Sequence, residues 1–234
     1  MTDFSKFASL KGEFEAEGLT REDVAVEVIF AARNNIDYLV KIGGCEAKSD
    51  VDYLSRIGVS SLVAPMIESP FAMSKYMGLV EGRGFHHVGV TIETFIAVDN
   101  IEAILDAGVH LNNATVGRSD LTASFKGSGV DSCETIEKVK IVARAAKKRG
   151  LEVTMGGGVN AKTRELLRTD KELAELLDTV ETRKVIMPIS SFVQDGVLEA
   201  AIQVELDLLD LHNAALEPKV RAAAERASQI RSRL

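Results

Sequence analysis

A parallel α/β barrel of the TIM type is the fold this sequence predicts, on three observations. Short strand-like runs alternate with helical runs along the whole chain, which calls for parallel strands joined by right-handed crossovers. The strands alternate apolar with charged residues in a way that sends charge toward a barrel interior. The 234 residues form one uninterrupted stretch with no low-complexity linker, and they fall inside the size range of a single barrel domain spanning 1–234.

In order, residues 10–16 read as a strand, and Thr20 caps a helix to about 34 with Asp23 in the capping-box position. A strand at 38–42 leads to a helix over 46–57. A strand at 61–66 precedes a helix that begins at Pro70, a residue suited to a first turn. Strand 87–92 precedes a helix over 96–107, and strand 110–116 precedes one over 134–149. Strand 152–155 is followed by a helix over 162–168, and strand 183–187 by a long helix from about 194 to 215. Pro218 opens a last helix rich in Arg and Ala. Seven strands is one short of eight. In the long helix Leu198, Ile202, Leu206 and Leu209 share a stripe expected to pack on the core.

Strand parity supplies the functional signal. In "LKGEFEAE", Leu10, Phe14 and Ala16 share one face and Lys11, Glu13 and Glu15 the other. With the apolar face against the helices, those charges point into the lumen, as do Lys41, Thr91, Glu93 and Thr154. A lumen rich in ionisable groups is a structural ion-pair network or a polar cavity for a charged ligand, since buried charge needs a partner.

The composition excludes several classes. A net charge of −7 disfavours nucleic acid, and no apolar run is long enough to cross a membrane. Two cysteines, Cys45 and Cys133, without metal-type spacing and without a leader-like N-terminus predict a cytoplasmic protein.

Glu93 closes one strand in "VTIETF", and Asp120 follows the next in "TVGRSDLTASF". Barrel enzymes assemble sites at the C-terminal tips of successive strands. Two carboxylates aimed at one spot repel unless a proton or cation lies between them, and a hard divalent ion, Mg²⁺ or Mn²⁺, suits that donor set. Gly117 permits a tight turn whose N–H groups bind a carboxylate or phosphate; an ordinary turn with Asp120 as helix cap is the plainer reading. The three glycines of "MGGGVN" leave the same pair of readings open.

The tandem "VTIETFIAVDNIEAIL" and "VGRSDLTASFKG", with "LVAPMIES" upstream, resembles the HpcH/HpaI aldolase/citrate lyase family over roughly residues 10–190. The resemblance implies a metal-dependent carbon–carbon lyase that acts on pyruvate or a related 2-oxo acid through a metal-stabilised enolate. It implies Glu93 and Asp120 as metal ligands and Gly117, Arg118 and Ser119 as the turn holding the substrate carboxylate. Lys41, in "YLVKIGG", stands where the family carries an arginine toward the ketone oxygen. It also implies a homo-oligomer, trimeric or hexameric; the C-terminal helices from about 194, ending in the Arg- and Ala-rich segment beyond Pro218, are the expected interface.

Two departures are visible. The family's acid–base histidine has no counterpart near Gly18, which leaves Glu15, Glu17 or a metal-bound water as candidates. "LKGEFEAE" matches the family's second barrel strand, so the first is altered, missing or replaced by residues 1–8. Alternatives remain: Schiff-base chemistry on a lumen lysine, a citryl- or malyl-CoA-lyase-like or phosphoenolpyruvate-using enzyme of the same fold, and a degenerate ligand-binding barrel.

Overall fold

A computed structural model describes residues 3–233. Eight strands close a barrel in sequence order: β1 (Ser9–Glu13), β2 (Asp37–Lys41), β3 (Ser61–Ala64), β4 (His87–Ile92), β5 (Asn113–Gly117), β6 (Glu152–Gly156), β7 (Thr179–Glu181) and β8 (Val185–Pro188). The helices are α1 (Arg21–Arg33), α2 (Lys48–Arg56), α3 (Pro70–Val80), α4 (Phe95–Asp99), α5 (Ile101–Asp106) and α6 (Arg118–Ser124). They continue as α7 (Cys133–Lys147), α8 (Ala161–Thr169), α9 (Lys171–Leu176), α10 (Ile189–Phe192) and α11 (Val197–Arg231). No helix among the described residues is long and apolar enough to cross a membrane.

The count of seven strands is corrected to eight. β7 is three residues long, too short for a periodic signal, and only Thr182 to Lys184 separate it from β8. So short a link cannot carry a crossover helix, so the two strands form a hairpin and β8 runs antiparallel to both β7 and β1. The altered first strand takes this form: β8 fills the place before β1, and residues 4–6 form only a short 3₁₀ turn. The hairpin also puts Thr182, Arg183 and Lys184 at the barrel's C-terminal mouth.

Other bounds shift for local reasons. β1 ends at Glu13, so Glu15 is exposed rather than in the lumen. Asn100 ends α4 and starts α5 where one helix was expected. α11 continues through Pro218 instead of breaking there. Thr20 and Asp23 do form the reciprocal capping box.

The parity argument holds along the strands. Leu10, Val40, Ile42, Val88, Val90 and Ile92 are buried in the main apolar core between barrel and helices, each such side chain stabilising by about 1.5–3 kcal/mol. Inside the barrel Leu39, Val63 and Ile186 form a small apolar plug.

A buried polar knot ties the helices to the mouth. Glu27 of α1 is 0% exposed and accepts from Tyr38 Oη at 2.7 Å and Lys184 Nζ at 2.7 Å, with His212 Nε2 of α11 at 2.8 Å. Lys184 also pairs with Glu17. The knot needs Gly12, because a Cβ there would lie 2.0 Å from Tyr38 Oη. Gly12→Ala is therefore expected to displace Tyr38 from Glu27 and lower Tm by several degrees, the scale of about 2 kcal/mol in a domain this size. Thermal unfolding followed by circular dichroism checks it; an unchanged Tm would mean Tyr38 moves freely.

Candidate functional site

The C-terminal ends of the parallel strands surround a cavity of about 460 Å³. Glu13 closes β1, Lys41 closes β2, Glu93 follows β4, Gly117 closes β5, and Glu181 closes β7; all line it, with Ser119 and Asp120 from α6. Successive strand ends bring these residues together by the same parity that buries Val40 and Ile92 on the outer face.

Deep in the cavity Lys11 Nζ lies 2.8 Å from Glu13 Oε1 and 2.7 Å from Glu181 Oε1. Burial disfavours the Lys11 ammonium, yet Glu181 and Glu13 outweigh it and raise the amine above its ordinary range. Burial likewise opposes the Glu13 carboxylate, and Lys11 and Lys41 reverse this, holding it below the usual range. This layer is a self-satisfied ion-pair network.

The layer above is not. Glu93 is 2% exposed; its Oε1 accepts from Met66 N at 3.0 Å, and its Oε2 lies 3.6 Å from Lys41 Nζ. Lys41 is shared with Glu13 Oε2 at 3.8 Å. Burial pushes the Glu93 carboxyl up, and the nearby charges of Asp120 and Glu13 add to that push against Lys41 and the Met66 N–H. Met66 adopts a left-handed conformation, φ 54°, to deliver that N–H, a position that favours glycine.

Gly117 serves close approach rather than a left-handed turn. Its φ is −84°, and a Cβ there would lie 2.8 Å from Glu93 Oε2. Gly157, at φ 77°, lies over the first turn of α6: a Cβ there would come within 2.5 Å of Ser119 N and 2.7 Å of Arg118 N. The first glycine of the "GGG" run lets β6 pass Glu181, and the next two line the mouth.

The Arg118 side chain neither reaches the cavity nor meets solvent. It is 0% exposed and donates from Nε to Gly156 O at 3.1 Å, from Nη1 to Asp131 Oδ1 at 2.5 Å, and from Nη2 to Thr163 Oγ1 at 3.3 Å. It clamps α6 to the end of β6 and to α8, so only its backbone N–H can serve as a ligand contact.

The histidines lie elsewhere. His86 and His87 line a cavity at the opposite end of the barrel, and His212 is held by Glu27. Glu17 is drawn to Lys184, away from the main cavity, and Cys45 packs half-buried beside the core. Sequence reasoning missed Glu181, Arg183 and Glu205, which also line the cavity. The only signal for Glu181 was one alternation, "TVE", at the end of an apolar stretch.

A divalent ion fits this donor set. Glu93 carries charge that Lys41 leaves incompletely compensated, and Asp120 is solvent-exposed at the mouth. Among the described residues no group of three His, Cys, Asp or Glu side chains would enclose a metal by itself. An ion held by two carboxylates would complete its shell with water and substrate, the habit of Mg²⁺.

No protein-family model and no curated protein sequence matches the chain. Solved structures do share the fold. A HpcH/HpaI aldolase/citrate lyase family protein from Burkholderia cenocepacia J2315 superposes with a TM-score of 0.62 at 19% identity, covering 70% of this chain and 76% of that one. The citrate synthase SbnG superposes at 0.65 and 13% identity, covering 90% and 86%. A citrate lyase beta subunit from M. tuberculosis, complexed with oxaloacetate and magnesium, superposes at 0.51 and 18% identity, covering 73% and 78%.

Proposed function

We propose that this cavity is the active site of a divalent-metal-dependent carbon–carbon lyase acting on pyruvate or a related 2-oxo acid. One observation carries the reading: Glu93, Asp120, Lys41 and the N-terminal turn of α6 converge on one cavity at the C-terminal mouth of the barrel. The fold shared with a citrate lyase subunit complexed with oxaloacetate and magnesium supports it.

Glu93 and Asp120 would hold Mg²⁺ or Mn²⁺, and the bound ion would supply a Lewis acid for the carboxylate and carbonyl oxygens of the 2-oxo acid. The rest belongs to the chain's own groups. The N–H groups of Arg118 and Ser119, left accessible by the missing side chain of Gly157, would donate to the substrate carboxylate and fix its orientation. Lys41 Nζ would set positive charge beside the carbonyl oxygen as it gains negative charge, the kind of preorganised stabilisation that dominates many barriers. Met66 N–H holds Glu93 in place throughout. Among the described residues no histidine lines the cavity, which leaves its carboxylates and water to carry protons.

Solvent exchange tests the reading. Incubated with pyruvate, Mg²⁺ and D₂O, the protein is expected to exchange the methyl protons of pyruvate, an exchange stopped by EDTA and restored by Mg²⁺ or Mn²⁺. Exchange that persists in EDTA, with borohydride trapping pyruvate on Lys41, would replace the metal route by a Schiff base.

A further inference from the structure

α11 carries an apolar face that its own chain does not cover. Val197, Leu198, Ala201, Val204 and Leu208 pack on the barrel. Ile202, Leu206, Leu209, Leu216, Val220 and Ile230, on a separate face, are 46–66% exposed. The stripe expected as core packing is therefore core only at Leu198. From Asn213 to Arg233 every residue but Ala227 is exposed, so about 30 Å of helix at 1.5 Å per residue stands clear of the barrel. A free helix of that length is marginal in water, and Pro218 removes one of its hydrogen bonds.

The exposed face has a coiled-coil period. Positions 202, 206, 209, 213, 216, 220, 223, 227 and 230 alternate steps of four and three, the 3.5-residue repeat of a supercoil seam, and only Asn213 among them is polar. Charge decides the direction of pairing. Residues 197–217 hold Glu199, Glu205, Asp207, Asp210 and Glu217 with no Lys or Arg. Residues 218–233 hold Lys219, Arg221, Arg226, Arg231 and Arg233 against Glu225 alone. Parallel pairing would set acid on acid and base on base; antiparallel pairing sets each acidic half against a basic one.

We propose that α11 pairs antiparallel with α11 of a second copy of this chain, about a two-fold axis at Pro218. In that register Leu206 meets Ile230 of the partner subunit, Leu209 meets Ala227 of the partner subunit, and Leu216 meets Val220 of the partner subunit. Ile202 and Glu205 border the mouth of the cavity. The pairing therefore sets Arg233 of the partner subunit beside Glu205, so that each copy closes the other's site with a cation. None of this depends on the metal assignment.

Light scattering and crosslinking test it on the full chain. The wild type is expected at an even multiple of its 25.3 kDa, and Leu216→Glu with Val220→Glu should halve that mass while the circular dichroism of the barrel persists. In a Cys45→Ser, Cys133→Ser background, Glu205→Cys and Arg233→Cys proteins should resist a short bismaleimide separately, because like positions would lie about 40 Å apart at 1.5 Å per residue. Mixed, they should crosslink to a dimer. A monomeric or trimeric wild type, a mass the double variant leaves unchanged, or either single-cysteine protein crosslinking to itself would overturn the proposal.

Discussion

Glu93→Gln is expected to lower metal-dependent turnover of a 2-oxo acid by about 10²–10³-fold, the scale of removing one preorganised electrostatic group. The amide keeps the shape and the acceptor for Met66 N–H, which donates to Glu93 Oε1 at 3.0 Å. It removes the charge that would hold the ion, and it takes away one of the two carboxylates beside Lys41. The folded protein should remain: burial and the neighbouring Asp120 and Glu13 push the Glu93 carboxyl up, so the site opposes rather than requires its charge, and a neutral amide of the same shape is accommodated there. A steady-state assay beside a thermal melt separates the two effects. A variant with full turnover would remove Glu93 from the mechanism; a variant that fails to fold would make its role structural.

The second large effect is on stability. Lys184→Met is expected to destabilise the protein by about 3–5 kcal/mol, because it strands a fully buried carboxylate. Glu27 would keep Tyr38 Oη and His212 Nε2 but lose its ammonium partner, and Glu17, whose Oε1 is already buried without a hydrogen bond, would lose its own. Chemical denaturation measures the loss. Glu27→Gln in the same background should recover part of it, since removing the second member of a broken pair removes the stranded charge. No recovery would mean that Lys184 acts through packing of its aliphatic stem.

The first effect begins from a feature the sequence shows, whereas the Glu27–Lys184 pair joins residues 157 apart and left no local pattern. Period-two alternation alone puts Lys11, Glu13, Lys41 and Glu93 on the inner face, because strand parity is local and Val40, Ile42, Val90 and Ile92 declare the outer face. Glu93 and Asp120 could be paired because consecutive parallel strands are neighbours in a barrel. The direction of β8 could not be read, since a strand pattern carries no orientation and only the three-residue link to β7 fixes it. That the Arg118 side chain turns away from the cavity could not be read, because its partners lie 12 to 45 residues away. Met66 gave no sign that its backbone would hold Glu93, a contact made by conformation rather than by side chain. The α11 stripe was visible, but apolar residues at steps of three and four look the same whether they meet their own core or another chain.

The central claim is that Glu93 and Asp120 form a metal site which, with the turn at Gly117–Ser119, receives a 2-oxo acid. Calorimetric titration of Mn²⁺ and then oxalate, a planar dianion shaped like the enolate of pyruvate, tests it most directly. Binding of oxalate should require Mn²⁺ in the wild type and be lost together with Mn²⁺ in Asp120→Ala. Oxalate binding that needs no metal, or Mn²⁺ binding unchanged in Asp120→Ala, would contradict it.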